Sequence, residues 1–225
     1  MKRLNKPWVI GFLMFYVWMS MVHAVEPILS VSVDIKDEAS LQRGAKLYMN
    51  YCSGCHSLRY MTYKRLADDL GLTAYPQHES LVRYLMFTST KVAAPIMSSI
   101  PEADARHWFG RVPPDLSLAA RQHSPNWLYT YLKSFYADEH SPFGSNNRLI
   151  PDGSMPNILV LIESELAHHS SRSLDSALKD LVTFLVYVAE PAALIRYKIG
   201  MVVVLYLCVF LLVAYLLKKS YWKNP

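Results

Sequence analysis

The chain has 225 residues, of which 52% are hydrophobic and 18% charged, with a formal net charge of +5. So little charge points to membrane segments rather than to an outsized core. All 18 acidic residues and 15 of the basic ones fall within residues 25–195, a balance of −3, while the other eight basic residues flank apolar segments at the two ends. The basic excess is therefore a membrane-topology signal and gives no support to a nucleic-acid partner.

Residues 1–24 have the three parts of a secretory signal. Lys2, Arg3 and Lys6 form a charged start, Trp8 to Met21 an apolar run, and Val22-His23-Ala24 a small-residue cleavage site. The alternative is an uncleaved anchor, and either way the chain after Ala24 is delivered across the membrane. Residues 25–36 suit a short extended strand. Asp37 or Ser40 can then cap a helix in which Leu41, Ala45, Tyr48, Met49 and Cys52 form one stripe.

That helix leads into Cys52-Ser53-Gly54-Cys55-His56, the C-x-x-C-H attachment signature of c-type haem. Two thiols at this spacing reach two vinyl groups on one porphyrin edge, and the adjacent imidazole reaches the iron. The other uses of C-x-x-C are half a zinc site or a redox dithiol. Zinc needs a second Cys or His pair, and the remaining cysteine, Cys208, lies in an apolar run. A redox dithiol of the thioredoxin kind needs a βαβ context, which is missing. Export fits haem as well, since bacterial thioether attachment takes place outside the cytoplasm.

Further helices are expected over Tyr63–Leu70 with a stop at Gly71, over Glu79–Phe87, and from Pro101 to Gly110. Pro113-Pro114-Asp115-Leu116-Ser117 is expected to open a helix that continues through Arg121. Ser124-Pro125 should cap Asn126–Tyr136, with Trp127, Leu128, Tyr131, Leu132 and Phe135 on its apolar face. Residues 137–157 read as loop. Ser173–Glu190 is the last strong helix of the domain, and Glu190-Pro191 interrupts it. The class is all-α.

A low-spin electron-transfer haem needs a ligand opposite His56, usually methionine or histidine. The other histidines sit in the signal, in helices or in polar turns, and Met61, Met86 and Met97 lie too near the motif or in apolar contexts. Met155 differs: it stands in a polar loop, Ile150-Pro-Asp-Gly-Ser-Met155-Pro156, where a thioether has no packing reason to be.

Ile199–Leu217 is a run of 19 residues without a charge, just long enough for a bilayer core. Lys218, Lys219, Tyr221, Trp222 and Lys223 follow as an interfacial anchor, and the positive-inside rule puts this tail in the cytoplasm. The layout is a signal peptide at 1–24, an exported haem domain at 25–195, an anchor helix at 196–217 and a tail at 218–225.

Arg43-Gly44-Ala45 with Cys52 to Tyr60, Val112 to Ser117, Met155-Pro156, Asp180-Leu181-Val182 and Ala189-Glu190-Pro191, in that order before a terminal anchor, together resemble the cytochrome c1 family. These are haem subunits of the ubiquinol–cytochrome c reductase (cytochrome bc1) complex. The resemblance implies a cytochrome c-like haem domain with one covalent haem c, thioether bonds at Cys52 and Cys55, His56 as proximal and Met155 as distal ligand. It implies that the Pro113–Pro114 segment packs by the haem and that Arg121 approaches a propionate. Where the family often has a second arginine, this chain has His123. It also implies electron transfer from a Rieske iron–sulfur protein to a c-type cytochrome, and an anchor in the inner membrane packing on cytochrome b, with the haem domain in the periplasm. The chain itself would then be a non-catalytic subunit of an oxidoreductase. The alternative is a stand-alone membrane-anchored cytochrome c feeding a terminal oxidase. The long span between His56 and Met155 disfavours it.

Overall fold

The computed structural model of the chain describes residues 27–74, 78–169 and 171–223. The signal segment lies outside them. The fold is organised by two helices, α1 (Glu38–Leu47) and α8 (Leu174–Ala189), which cross at Gly44. Asp37 starts α1 by accepting from the Ser40 amide at 3.0 Å, and Ser173 starts α8 through the Ser176 amide. A Cβ on Gly44 would lie 2.6 Å from Phe184 Cβ and closer still to the Asp180 carbonyl oxygen, so the crossing requires glycine. The stripe read from the sequence is the buried face: Leu41, Ala45, Tyr48, Met49 and Cys52 are all buried. Opposite them stand Leu178, Leu181, Val182, Phe184 and Leu185 of α8, and the Tyr48 ring lies 5.7 Å from that of Phe184.

A buried carboxylate fixes the crossing. Asp180 accepts from Ser40 Oγ at 2.7 Å, Arg43 Nε at 2.8 Å and Arg172 Nη2 at 2.6 Å. Burial alone would raise its pKa; the hydrogen bonds from Arg43, Ser40 and Arg172 outweigh that and hold it below the usual carboxylate value. A group depressed in this way stabilises the fold above its ordinary pKa of about 3.9. That contribution is lost as pH falls through the lower, folded value. We expect Asp180→Asn to cost about 2 kcal/mol at neutral pH, roughly 4–8 °C in Tm. In thermal unfolding followed against pH, the gap to the parent chain should close in acid. A gap constant down to the lowest pH would contradict this reading.

Around this pair the rest is arranged in short pieces. Strand β1 (Leu58–Thr62) pairs antiparallel with β2 (Pro95–Ile96), and α2 (Tyr63–Asp69) follows β1, ending before Gly71 at φ 67°. Asp69 of α2 accepts from the Tyr187 hydroxyl at 2.8 Å, which ties α2 to α8. Helix α3 (His78–Leu85) ends two residues before the expected Phe87, while α4 (Glu102–Phe109) matches its expected position. Then come α5 (Ala119–Gln122) and α6 (Pro125–Lys133), both packed on α8. A hairpin of β3 (Phe135–Ala137) and β4 (Ser145–Asn147) leads through the Met155 loop to α7 (Leu159–His169). The long helix α9 (Arg196–Tyr221) leaves the domain with its apolar side chains exposed.

Four local expectations need correction. Residues 27–36 form no strand; the amides of Leu29 and Val31 bond instead to the side chains of Thr130 and Asn126 on α6. The segment from Pro113 to Ser117 does not open a helix but runs extended, because Asp115 and Ser117 spend their side chains on the backbone of β1. Helix α6 stops at Lys133 rather than Tyr136, where the chain turns into β3. The stretch 137–157 is not all loop, since Ser145, Asn146 and Asn147 of β4 are buried. The all-α class stands: the chain is mostly helical, with two small two-stranded ladders among the described residues.

Candidate cofactor site

Helix α1 does not end in an ordinary α turn. Tyr48–Cys52 widen into a π turn, closed by the Ser53 amide on the Tyr48 carbonyl and by Ser53 Oγ on the Met49 carbonyl. The next turn folds back on Cys52, whose carbonyl accepts the amides of Cys55 at 3.0 Å and His56 at 2.8 Å. The result is a compact knuckle that carries both thiols and the imidazole. Tyr48 pins its far end, donating its hydroxyl to the His56 carbonyl at 2.5 Å.

Cys52 is buried, Cys55 half-buried, and neither is in a disulfide. Burial, with a smaller contribution from Cys55, pushes the Cys52 thiol up to about 12, and burial also raises Cys55. A redox dithiol requires the opposite shift. Burial of the thiols therefore argues against the dithiol reading of C-x-x-C.

His56 is oriented by the extended segment described above. Its Nδ1 lies 2.7 Å from the Pro114 carbonyl oxygen. A carbonyl only accepts, so Nδ1 carries the proton and Nε2 presents a lone pair. Burial lowers the His56 pKa, against a smaller raising effect of this bond, which keeps the ring neutral and fit to ligate a metal. The segment is itself clamped to the motif: the Leu116 amide donates to the Ser57 carbonyl at 2.9 Å, the Arg59 amide to Asp115 at 2.9 Å, and the Tyr60 amide to Ser117 Oγ at 3.1 Å. From the other side, Ser98 and Ser99 bind Ser57 Oγ and the Gly54 carbonyl.

Met155 is half-buried, and its sulfur accepts from the Tyr131 hydroxyl of α6 at 3.5 Å. The loop that carries it is fastened at both ends to β4. Asn147 Oδ1 accepts the amides of Leu149 and Ile150, and Ser145 Oγ accepts that of Asn157. Asp152, at φ 59°, is steadied by Asn146 Oδ1 on its amide.

The structure thus joins Cys52, Cys55, His56 and Pro114 through direct bonds and sets Met155, on a loop fastened to β4, against Tyr131 of α6, a helix that packs on α8. Arg121 is exposed on α5 and takes no part in these contacts. His123 stacks on Trp127 with centroids 4.0 Å apart. Two contributors escape a sequence reading. The Pro114 group that meets His56 is a backbone carbonyl, which no residue type announces. Tyr131 falls on the expected apolar face, but its spacing does not single out its hydroxyl.

Two thiols at this spacing, an imidazole with a fixed free nitrogen and a thioether are a donor set that fits a covalent c-type haem.

The family model "Cytochrome C1 family" matches residues 31–225. The chain is 42% identical over 223 residues to the cytochrome c1 of Allochromatium vinosum, covering 88% of this chain and 90% of that one. It is 34% identical over 206 residues to a protein of Nitrosomonas europaea named as the ammonia monooxygenase gamma subunit, covering 85% and 86%. It is also 27% identical over 211 residues to the mitochondrial cytochrome c1 heme protein of Saccharomyces cerevisiae, covering 83% and 67%.

Proposed function

The chain belongs to the cytochrome c1 family, and from that premise we propose how its residues serve electron transfer in the cytochrome bc1 complex. The family carries a covalent c-type haem, whose iron supplies a one-electron couple. In this reading Cys52 and Cys55 would form the two thioether bonds, and His56 Nε2 and Met155 Sδ would hold the iron. Pro114 acts through its carbonyl by fixing the His56 ring. Arg121, exposed one turn before the start of α6, is the residue for a propionate. The observation that carries the assignment is the 2.7 Å contact from His56 Nδ1 to Pro114, which leaves Nε2 free beside two unpaired thiols.

With two protein side chains, His56 and Met155, holding the iron, the site would suit electron passage rather than chemistry on a bound substrate. The electron donor is then the Rieske iron–sulfur protein and the acceptor a c-type cytochrome, with quinol oxidation left to neighbouring subunits. Helix α9 is long and apolar enough to cross a bilayer. Basic residues at and just past its C-terminal end, Lys218, Lys219 and Lys223, support a cytoplasmic tail, with the helix in an inner membrane and the haem domain in the periplasm. The helix then packs on cytochrome b, and residues 1–24 are removed on export.

Mild solubilisation followed by a redox-titrated spectrum tests the assignment. The haem band should copurify with cytochrome b and a Rieske protein; a lone monomer would favour the free-standing cytochrome instead.

A further inference from the structure

We propose that Tyr131 is a positioning residue for the distal ligand: its hydroxyl holds the Met155 sulfur through one lone pair and leaves the other for the iron. This rests on Met155 being that ligand. A thioether has no proton to give and a phenol is protonated at neutral pH, so Tyr131 is the donor in the 3.5 Å contact.

The contact is built from both sides. The Tyr131 ring lies nearly parallel to that of Trp127, with centroids 5.3 Å apart and 4° between planes, and edge-on to Phe135 at 5.4 Å. These two rings orient the Tyr131 ring. Asn147, only 2% exposed, donates from Nδ2 to the Tyr131 carbonyl at 2.8 Å, while its Oδ1 binds the amides of Leu149 and Ile150. One buried amide therefore ties the turn of α6 that bears the hydroxyl to the start of the loop that bears the sulfur. Simple packing of a tyrosine would not require that shared anchor.

The direction of the electronic effect follows. An O–H dipole with its positive end on the sulfur draws density from the ligand and disfavours the more positive, oxidised metal. Tyr131 thus raises the reduction potential. Trp127 and the exposed His123 extend the same stack toward solvent.

The test uses the intact, haem-loaded complex with Tyr131→Phe, Tyr131→Leu and Met155→Leu. The readouts are the far-red iron–thioether charge-transfer absorption and the midpoint potential. Tyr131→Phe should keep a six-coordinate, low-spin spectrum, displace that absorption and shift the midpoint downward, and Tyr131→Leu should shift it at least as far. If Met155→Leu abolishes the absorption while Tyr131→Phe changes neither absorption nor midpoint, the hydroxyl has no such role. A midpoint shift in Tyr131→Leu alone assigns the effect to the ring and overturns the proposal too. If the parent complex lacks the absorption and Met155→Leu changes nothing, the ligand assignment itself fails. Should Tyr131→Phe lose its haem, the parent full-length protein decides by proton NMR in detergent. In the reduced state the ring-current-shifted Met155 methyl should show an Overhauser contact to Tyr131, and its absence would refute the proposal.

Discussion

Met155→Leu is expected to have the largest effect on the haem of any single substitution outside Cys52–His56. Leucine matches methionine in bulk, so the polar loop anchored by Asn147 and Ser145 should keep its course. What disappears is the sulfur. The iron should become five-coordinate or take water, the iron–thioether absorption should vanish, and the midpoint should fall by a sizeable fraction of the roughly 0.8 V that axial ligands span. Affinity for small external ligands such as cyanide should rise because the sixth position is open. Electron delivery to the acceptor cytochrome should drop steeply, since the couple no longer lies above the donor's. A redox titration of the purified complex settles the matter, and an unchanged midpoint would remove Met155 from the iron.

The second large effect is on stability. At Gly44→Val the new side chain meets the backbone of α8 rather than the end of a flexible chain. Even its first atom would lie 2.6 Å from Phe184 Cβ and 2.8 Å from the Asp180 carbonyl carbon. A side chain can rotate away; the helix backbone must translate. Helix propensity alone would reward replacing glycine by about 1 kcal/mol for alanine and less for valine. Forced overpacking costs typically 1–3 kcal/mol, and a rigid backbone partner with two extra methyls puts valine at about 3 kcal/mol. That corresponds to a Tm lower by roughly 6–12 °C. The damage should also reach the site, because Tyr48, one turn beyond Gly44, holds the His56 carbonyl. Thermal melting read both at the haem band and in the far-ultraviolet would show whether the two losses coincide. A melting point equal to the parent's would mean that the helices cross less closely than described.

What the sequence reveals here depends on how locally each feature is encoded. Helices α1 and α8 are legible because each buries one stripe, and stripes survive as periodicity. Cys52, Cys55 and His56 are legible because covalent chemistry dictates their spacing. Helix α7 escapes notice: Val160 and Leu161 are exposed beside buried Leu159 and Ile162, so no stripe separates its faces. Strand β4 escapes because its buried residues, Ser145, Asn146 and Asn147, are polar and look like a turn. The extended run through Pro114 reads as a helix start, since Pro-Asp-x-Ser is good capping chemistry. Its capping groups are taken by β1, some 56 residues earlier in the chain. The same distance hides the His56 contact, which depends on a backbone oxygen. Met155 stands between these extremes. Its odd setting shows in the sequence, whereas the hydroxyl facing it does not.

The closure of α1 onto α8 also orders events in time. Ser40 and Asp180 are 140 residues apart, so the contact closes nearly the whole domain and carries a loop-closure entropy of about 4 kcal/mol. Such long-range pairing forms late and slowly. Until the chain through Ala189 is in place, α1 lacks its main partner, and Cys52, which ends buried in the core, stays more open to reagents. If Cys52 carries a thioether, its attachment would belong to the unclosed chain, before the thiol is buried. A chain that reached its final shape with that thiol unreacted would have to open its central crossing before the bond could form.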